Sequence, residues 1–307
     1  MTSDAQTSGT VLMVRPAAFG FHAEAARSNA FAKPAAGEEV AEAALREFEG
    51  LASALERAGV LVLVLDDTPN PPKPDAVFPN NWVSFHGDGT IILYPMATAA
   101  RRLERRTEAL KRLLSDHGFA VRRTVDLSQS EQDGQYLEGT GSLILDRPGR
   151  RAFAALGPRT MQTSLEAFAD ATGFDVVKFG CADREGRPIY HTNVMLSLGE
   201  RFALLCAEAI DAADRERVIA AIEASGREIV SVGLDAMERF ACNILTLEGR
   251  NGPVIAMSQT AFESLDHETR ERLERHGALV TAPIPTIERV GGGSVRCMIA
   301  DVHLPRR

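Results

Sequence analysis

Apolar positions along the chain fall into two alternating periods. From Glu38 to Ala58, Ala, Leu and Glu dominate, and Leu45, Phe48, Leu51 and Leu55 recur three and four apart. That spacing predicts an amphipathic helix. It stops at Gly59, and the β-rich run Val60 to Leu65 follows at once. The same order returns four times. Leu103 to His117 ends at Gly118 before Phe119 to Val121, Thr160 to Thr172 ends at Gly173 before Phe174 to Val177, Ala212 to Ser225 ends at Gly226 before Arg227 to Val230, and Ala261 to His276 ends at Gly277 before Ala278 to Val280. Each glycine stands where a left-handed helix C-cap is expected. Further strand-like runs, such as Val77 to Phe85 and Thr90 to Tyr94, make each unit ββαβ. Five such units, recurring about every 55 residues, predict internal repetition. A solenoid and a ring both satisfy it. The lone strand Val11 to Val14 favours the ring, because it would complete the last unit and remove an exposed sheet edge. The expected architecture is α/β, with residues 1–307 forming one domain around a central cavity.

Chemically capable residues fall at one station of this repeat. Asp75 to Asn81, Glu138, His191 and Cys297 each lie roughly 20 residues after the capping glycine of their unit. In a ring, equivalent stations converge on the axis. A thiol, an imidazole and a carboxylate sharing one cavity supply a nucleophile, an acid/base and a group that orients it. Singly, each has a plain structural explanation. Cys297 follows Gly291-Gly292-Gly293 as a small core residue would, His191 lies on an apolar strand, Glu138 sits in a polar turn, and Asp75 follows a proline-rich loop. Their common station is what favours catalysis. Cys242-Asn243 holds the same station in the fourth unit and reads as packing near the axis, while the roles of His22 and His303 are left open.

Composition narrows the partners. A net charge of -8 argues against nucleic acid and leaves a small molecule as the fitting substrate. Met1 to Thr10 is polar without Lys or Arg, and Val11 to Val14 is too short for a signal peptide or membrane span, so a cytoplasmic protein without membrane association is expected. Cys181, Cys206, Cys242 and Cys297 lie far apart with no CxxC pair, indicating neither a disulfide framework nor a structural zinc site.

Asp75-Ala76-Val77-Phe78-Pro79-Asn80-Asn81-Trp82, Leu137-Glu138-Gly139, His191-Thr192-Asn193 and the Gly-rich segment before Arg296-Cys297 resemble the guanidine-modifying enzymes. That superfamily includes arginine deiminase, dimethylarginine dimethylaminohydrolase and amidinotransferases. The resemblance implies a fivefold pseudosymmetric α/β propeller, the pentein fold, with Cys297 as nucleophile, His191 as acid/base and Glu138 as acidic partner. It further implies substrate contacts from Asp75, Phe78, Asn80 and Asn81, and carboxylate-binding roles for Arg101 and Arg159, whose forks suit that task. No metal or organic cofactor is implied, and a homo-oligomer is compatible. One departure bears on the substrate. The positions of Asn81 and Asn193 are typically aspartates in arginine-processing members. A neutral amide offers a donor and an acceptor, which complement a neutral ureido group better than a cation, so the pattern resembles the citrulline utilization hydrolases. The expected reaction is citrulline to ornithine, carbon dioxide and ammonia through an S-alkylthiocarbamate on Cys297. A guanidino substrate, turned over by a deiminase, a dimethylarginine hydrolase or an amidinotransferase, is the alternative. A non-catalytic binding propeller is the second.

Overall fold

The computed structural model describes residues 5–35 and 37–307. Residues 1–4, part of the polar stretch considered above, and residue 36 lie outside the described residues.

Fifteen strands among the described residues form five three-stranded sheets. The first sheet joins the two ends of the chain: β1 (Thr10–Arg15) pairs in parallel with β2 (Leu61–Asp66) and antiparallel with β15 (Ala300–Asp301). The second holds β3 (Val83–Phe85), β4 (Thr90–Leu93) and β5 (Arg123–Asp126). The third holds β6 (Ile144–Asp146), β7 (Arg151–Ala155) and β8 (Asp175–Phe179). The fourth holds β9 (Leu196–Leu198), β10 (Phe202–Leu205) and β11 (Glu228–Ser231). The fifth holds β12 (Leu245–Gly249), β13 (Gly252–Ser258) and β14 (Ala278–Ala282). In every sheet the middle strand runs antiparallel to the strand on one side and parallel to that on the other. The parallel pairs are bridged by helices α1 (Glu38–Arg57), α2 (Thr107–Asp116), α3 (Gln162–Thr172), α4 (Ala212–Glu223) and α5 (His267–Glu274), as parallel strands require. A further helix, α6 (Pro285–Gly291), precedes the turn that carries Cys297.

Burial explains why the middle strands read as unbroken apolar runs. On β4, Ile91 and Leu93 join one core with Leu110 and Leu114 of α2 and with Leu12, Val14, Leu63 and Leu65 of the first sheet, whereas Ile92, and Tyr94 just past the strand, join a second core with Leu165 and Phe168 of α3. The strand's period of two thus buries both faces. The same relation links α4 to the third and fourth sheets through Val218 and Ile222. Helix α1 closes the series, since Phe48, Leu51 and Leu55 share a core with Val11 and Met13 of β1 and with Leu247, Val254 and Ala256 of the fifth sheet. Each of these three side chains is fully buried, contributing about 2 kcal/mol apiece. First strands β3, β6 and β9 are buried throughout, while the third strand β5 is largely exposed, which sets an inner and an outer edge for the second sheet.

Several expectations are corrected by packing. Ala44, not Leu45, heads the buried stripe of α1; Leu45 is 37% exposed. Residues 261–276 form two helices rather than one, Gln259–Ser264 and α5, because Leu265 is extended and Asp266 caps α5 by accepting from the Thr269 amide. Gly59, Gly118, Gly173 and Gly226 adopt the expected positive φ, but Gly277 does not. A side chain at Gly277 would lie 2.8 Å from the Pro253 carbonyl oxygen, so close approach of β13 explains that glycine instead. Phe119 to Val121 is not a strand; β5 begins at Arg123. No helix among the described residues is long and apolar enough to cross a membrane.

Candidate active site

The runs read as strands around Asn81 and His191 are instead tight turns that feed the buried first strands. A 3₁₀ turn at Pro79–Asn81 precedes β3, a helical turn at Gly139–Ser142 precedes β6, and a 3₁₀ turn at Thr192–Val194 precedes β9. Turns closed by the amide of Asn243 bonding the Phe240 carbonyl, and by the amide of Cys297 bonding the Ser294 carbonyl, precede β12 and β15. Neighbouring turns are stitched together. The Thr140 hydroxyl donates to the Asn80 carbonyl, the Thr192 hydroxyl to the Ser142 carbonyl, the Asn243 amide to the Asn193 carbonyl at 3.1 Å, and the Arg296 amide to the Asn243 carbonyl. The predicted common station is therefore a set of hydrogen-bonded turns.

A small cavity opens beside them, lined by Asp75, Phe78, Asn81, Arg101, Arg159, Tyr190, His191 and Cys297 together with His22 and Gly291 to Gly293. Cys297 is 3% exposed, and its Sγ receives the Nδ2 groups of Asn193 at 3.5 Å and Asn243 at 3.4 Å. The glycines make room for Phe78: a Cβ on Gly291 or Gly293 would stand about 3 Å from its ring.

His191 Nε2 lies 2.9 Å from Glu138 Oε2. Burial alone would raise the Glu138 carboxyl, but Arg159, the His191 hydrogen bond and Arg101 together hold it well below the ordinary carboxylate range. Burial lowers His191 to about 4 against the opposing pull of Glu138. At neutral pH the imidazole is uncharged. Since the ionised carboxylate only accepts, Nε2 carries the proton and Nδ1 keeps its lone pair. Tyr190 packs on this ring with centroids 4.7 Å apart and anchors its hydroxyl on the Gly292 carbonyl at 2.6 Å.

Both arginines line the cavity with their forks already engaged. Arg101 grips Glu104 through Nε and Nη2, each at 2.9 Å, and donates Nη1 to Asn81 Oδ1 at 2.8 Å. Arg159 donates to the Ser28 hydroxyl, the Ala25 carbonyl and Glu138. In this arrangement the two guanidinium groups also brace the turns around the cavity. Asp75 pairs with His22 at 2.7 Å, which brings into the cavity a histidine whose role the sequence left open. His303 instead bonds Asp301 beside β15. Asn80 is fully buried and is not among the cavity's lining residues, and neither of its amide atoms finds a hydrogen-bond partner among the described residues. Asn243 and Tyr190 are the residues sequence reasoning passed over. Asn243 had a readable signal, its station in the fourth unit.

The arrangement belongs to a hydrolase acting on carbon–nitrogen bonds other than peptide bonds. More narrowly, residues 15–304 match the family described as N,N dimethylarginine dimethylhydrolase, eukaryotic, and the chain belongs to it. No curated protein sequence matches at a significant level. Among solved structures, the N-terminal domain of ArgZ, an arginine dihydrolase from the ornithine-ammonia cycle in cyanobacteria, crystallised as a cysteine-to-serine variant bound to substrate, is similar with a TM-score of 0.74 and 21% identity over 95% of this chain and 97% of that one. The chain spans 41% of full-length ArgZ. An AgrE variant in complex with L-arginine gives a TM-score of 0.71 and 17% identity, over 97% of this chain and 40% of that one. A dimethylarginine dimethylaminohydrolase carrying an S-methyl-L-thiocitrulline adduct gives 0.64 and 14%, over 96% and 99%. At these identities the likeness is one of fold.

Proposed function

We propose that this protein hydrolyses the guanidino group of arginine or an N-substituted arginine through a covalent intermediate on Cys297, at the centre of a fivefold pseudosymmetric α/β propeller. The observation that carries the reading is one cavity shared by the Cys297 thiol, the neutral His191 held by Glu138, and Asp75, the single acidic side chain among the cavity's lining residues. A carboxylate complements a guanidinium, and family membership points the same way. The cycle of helices shared between successive sheets supports the propeller.

In this scheme His191 Nδ1 takes the thiol proton as Sγ attacks the guanidino carbon. The proton passes to the departing nitrogen, the C–N bond breaks, and a thiouronium remains on sulfur. Water then adds to that carbon, its proton going to Nδ1. The C–S bond breaks, the Nδ1 proton returns to sulfur, the hydroxyl proton passes to the released ammonia or amine, and citrulline leaves. No step calls on a cofactor.

A second reading, hydrolysis of a ureido substrate such as citrulline to ornithine, is favoured by Asn81. Arg101 holds its Oδ1, so the amide cannot turn over, and its buried Nδ2 is a donor without a partner among the described residues. A guanidinium has only donors to offer, whereas a ureido carbonyl would accept. The deciding experiment gives purified protein arginine, asymmetric dimethylarginine and citrulline in parallel and identifies the amino-acid product. Citrulline from either guanidino compound supports the first reading and ornithine from citrulline the second. No turnover of any of them, or full activity in Cys297→Ala, sinks both.

A further inference from the structure

We propose that Asn243 and Asn193 are the groups that stabilise the Cys297 thiolate, an amide pair acting where a cationic partner would otherwise be needed. The inference rests on the reading of Cys297 as nucleophile and names what activates it. Two Nδ2 donors approach Sγ at 3.4 and 3.5 Å, from turns of two different repeat units. Both asparagines are fully buried. The Asn243 amide cannot flip without loss, because Nδ2 also donates to the Asn193 carbonyl at 3.1 Å while Oδ1 accepts from the Cys297 backbone amide at 3.4 Å. Its donor is therefore fixed on sulfur. An N–H aimed at an anion is a charge-assisted bond, stronger than one to a neutral thiol, so it favours the ionised form.

Among the described residues no charged group donates a hydrogen bond to the sulfur; Arg296 acts on it only through space. His191 is uncharged at neutral pH, and Arg101 and Arg159 are committed to Glu104 and Glu138. Arg296, on the turn of Cys297 itself, donates to the Ile299 carbonyl and Asp301. Tyr190 gives its hydroxyl proton to Gly292, and Asp75 is paired with His22.

The test measures the rate of iodoacetamide alkylation of Cys297 against pH in the full chain without substrate, located by peptide mass. The other thiols interfere little, since burial pushes Cys181 up to about 12 and raises Cys206 and Cys242 as well. Asn243→Asp and Asn193→Asp keep shape but replace the donor by a carboxylate. We expect each to move the alkylation midpoint up by at least one pH unit, with about a tenfold slower reaction at pH 7 per unit moved. Asn193→Ala, whose side-chain bond is to Sγ, should move it in the same direction by less and guards against misfolding of the Asn243 variants. An unchanged midpoint in folded Asn193→Ala and Asn193→Asp overturns the proposal even if turnover falls, because the amides would then only hold the turns. Turnover by Cys297→Ala would instead sink the nucleophile reading, whatever the alkylation profile.

Discussion

Glu138 Oε2 stands 2.9 Å from His191 Nε2 and 3.3 Å from Arg159 Nη1, so a single carboxylate oxygen both orients the imidazole and neutralises a buried guanidinium. Orientation of the imidazole and integrity of the core are thereby tied to one fully buried side chain.

Glu138→Gln should separate these tasks. The amide keeps the shape but loses the charge, leaving Arg159 without its carboxylate. Turnover should fall by roughly 100-fold or more, and urea denaturation should register a loss of about 3 kcal/mol. Loss of turnover with full stability would mean that the charge of Glu138 matters only to the imidazole.

Gly141→Ala tests the closeness of the turns. The added Cβ would lie 2.5 Å from Asn81 Nδ2 and 2.8 Å from His191 Nδ1, so the clash falls on two side chains of the cavity rather than on backbone. Steady-state kinetics should show a large fall in kcat with the fold intact by circular dichroism. Gly139→Ala meets the Asn80 carbonyl oxygen at 2.2 Å from a residue with φ of +47°, and should fail to fold stably.

Acid sensitivity should arise first from histidines. Burial lowers His86 to about 3 and His191 to about 4, both below the unfolded value near 6.5. The unfolded chain therefore binds more protons than the folded one in this window, and stability falls as pH falls through it, by about 1.4 kcal/mol per pH unit for each histidine fully titrating. Glu104 works the other way: burial raises its carboxyl to about 7, so the folded chain takes up a proton in the same window and offsets about one histidine's share. Urea unfolding between pH 6.5 and 5, above the range of unfolded carboxylates, should show the slope that remains. His86→Gln should flatten it, and a flat wild-type profile would contradict the assignment.

Two helix-ending glycines should differ in cost. Gly118, with φ of +77°, has only the tip of Arg306 near a prospective Cβ, so Gly118→Ala should cost about 1 kcal/mol from backbone conformation. A Cβ at Gly59 would also meet the backbone nitrogen and Cβ of Arg250 at 2.5 Å. Thermal melts should rank Gly59→Ala well below Gly118→Ala.

What was legible in the sequence was the repeat, because capping glycines and apolar periods are local signals. The fivefold register placed Glu138, His191 and Cys297 at one station before any contact was known. The local form of that station was not legible. Val77 to Phe85 reads as an apolar strand, yet only Val83–Phe85 pairs; Pro79, which cannot donate to a ladder, marks the first residue of the 3₁₀ turn. Long-range partners were hidden for a different reason. The engagement of Arg101 with Glu104 and Asn81 depends on how turns meet, and no spacing along the chain encodes it. Asn243 was seen at its station but passed over, since an amide announces no chemistry until a thiol is found beside it.

The antiparallel pairing of Val11 with Asp301 gives the molecule a timetable. Within this sequence β1 is made long before β15 and has only β2 to pair with until then, and the turn bearing Cys297 leads directly into β15. Docking of β15 on β1 therefore also fixes the turn that holds the Cys297 sulfur, so that one strand pairing sets both the edge of a sheet and the wall of the cavity.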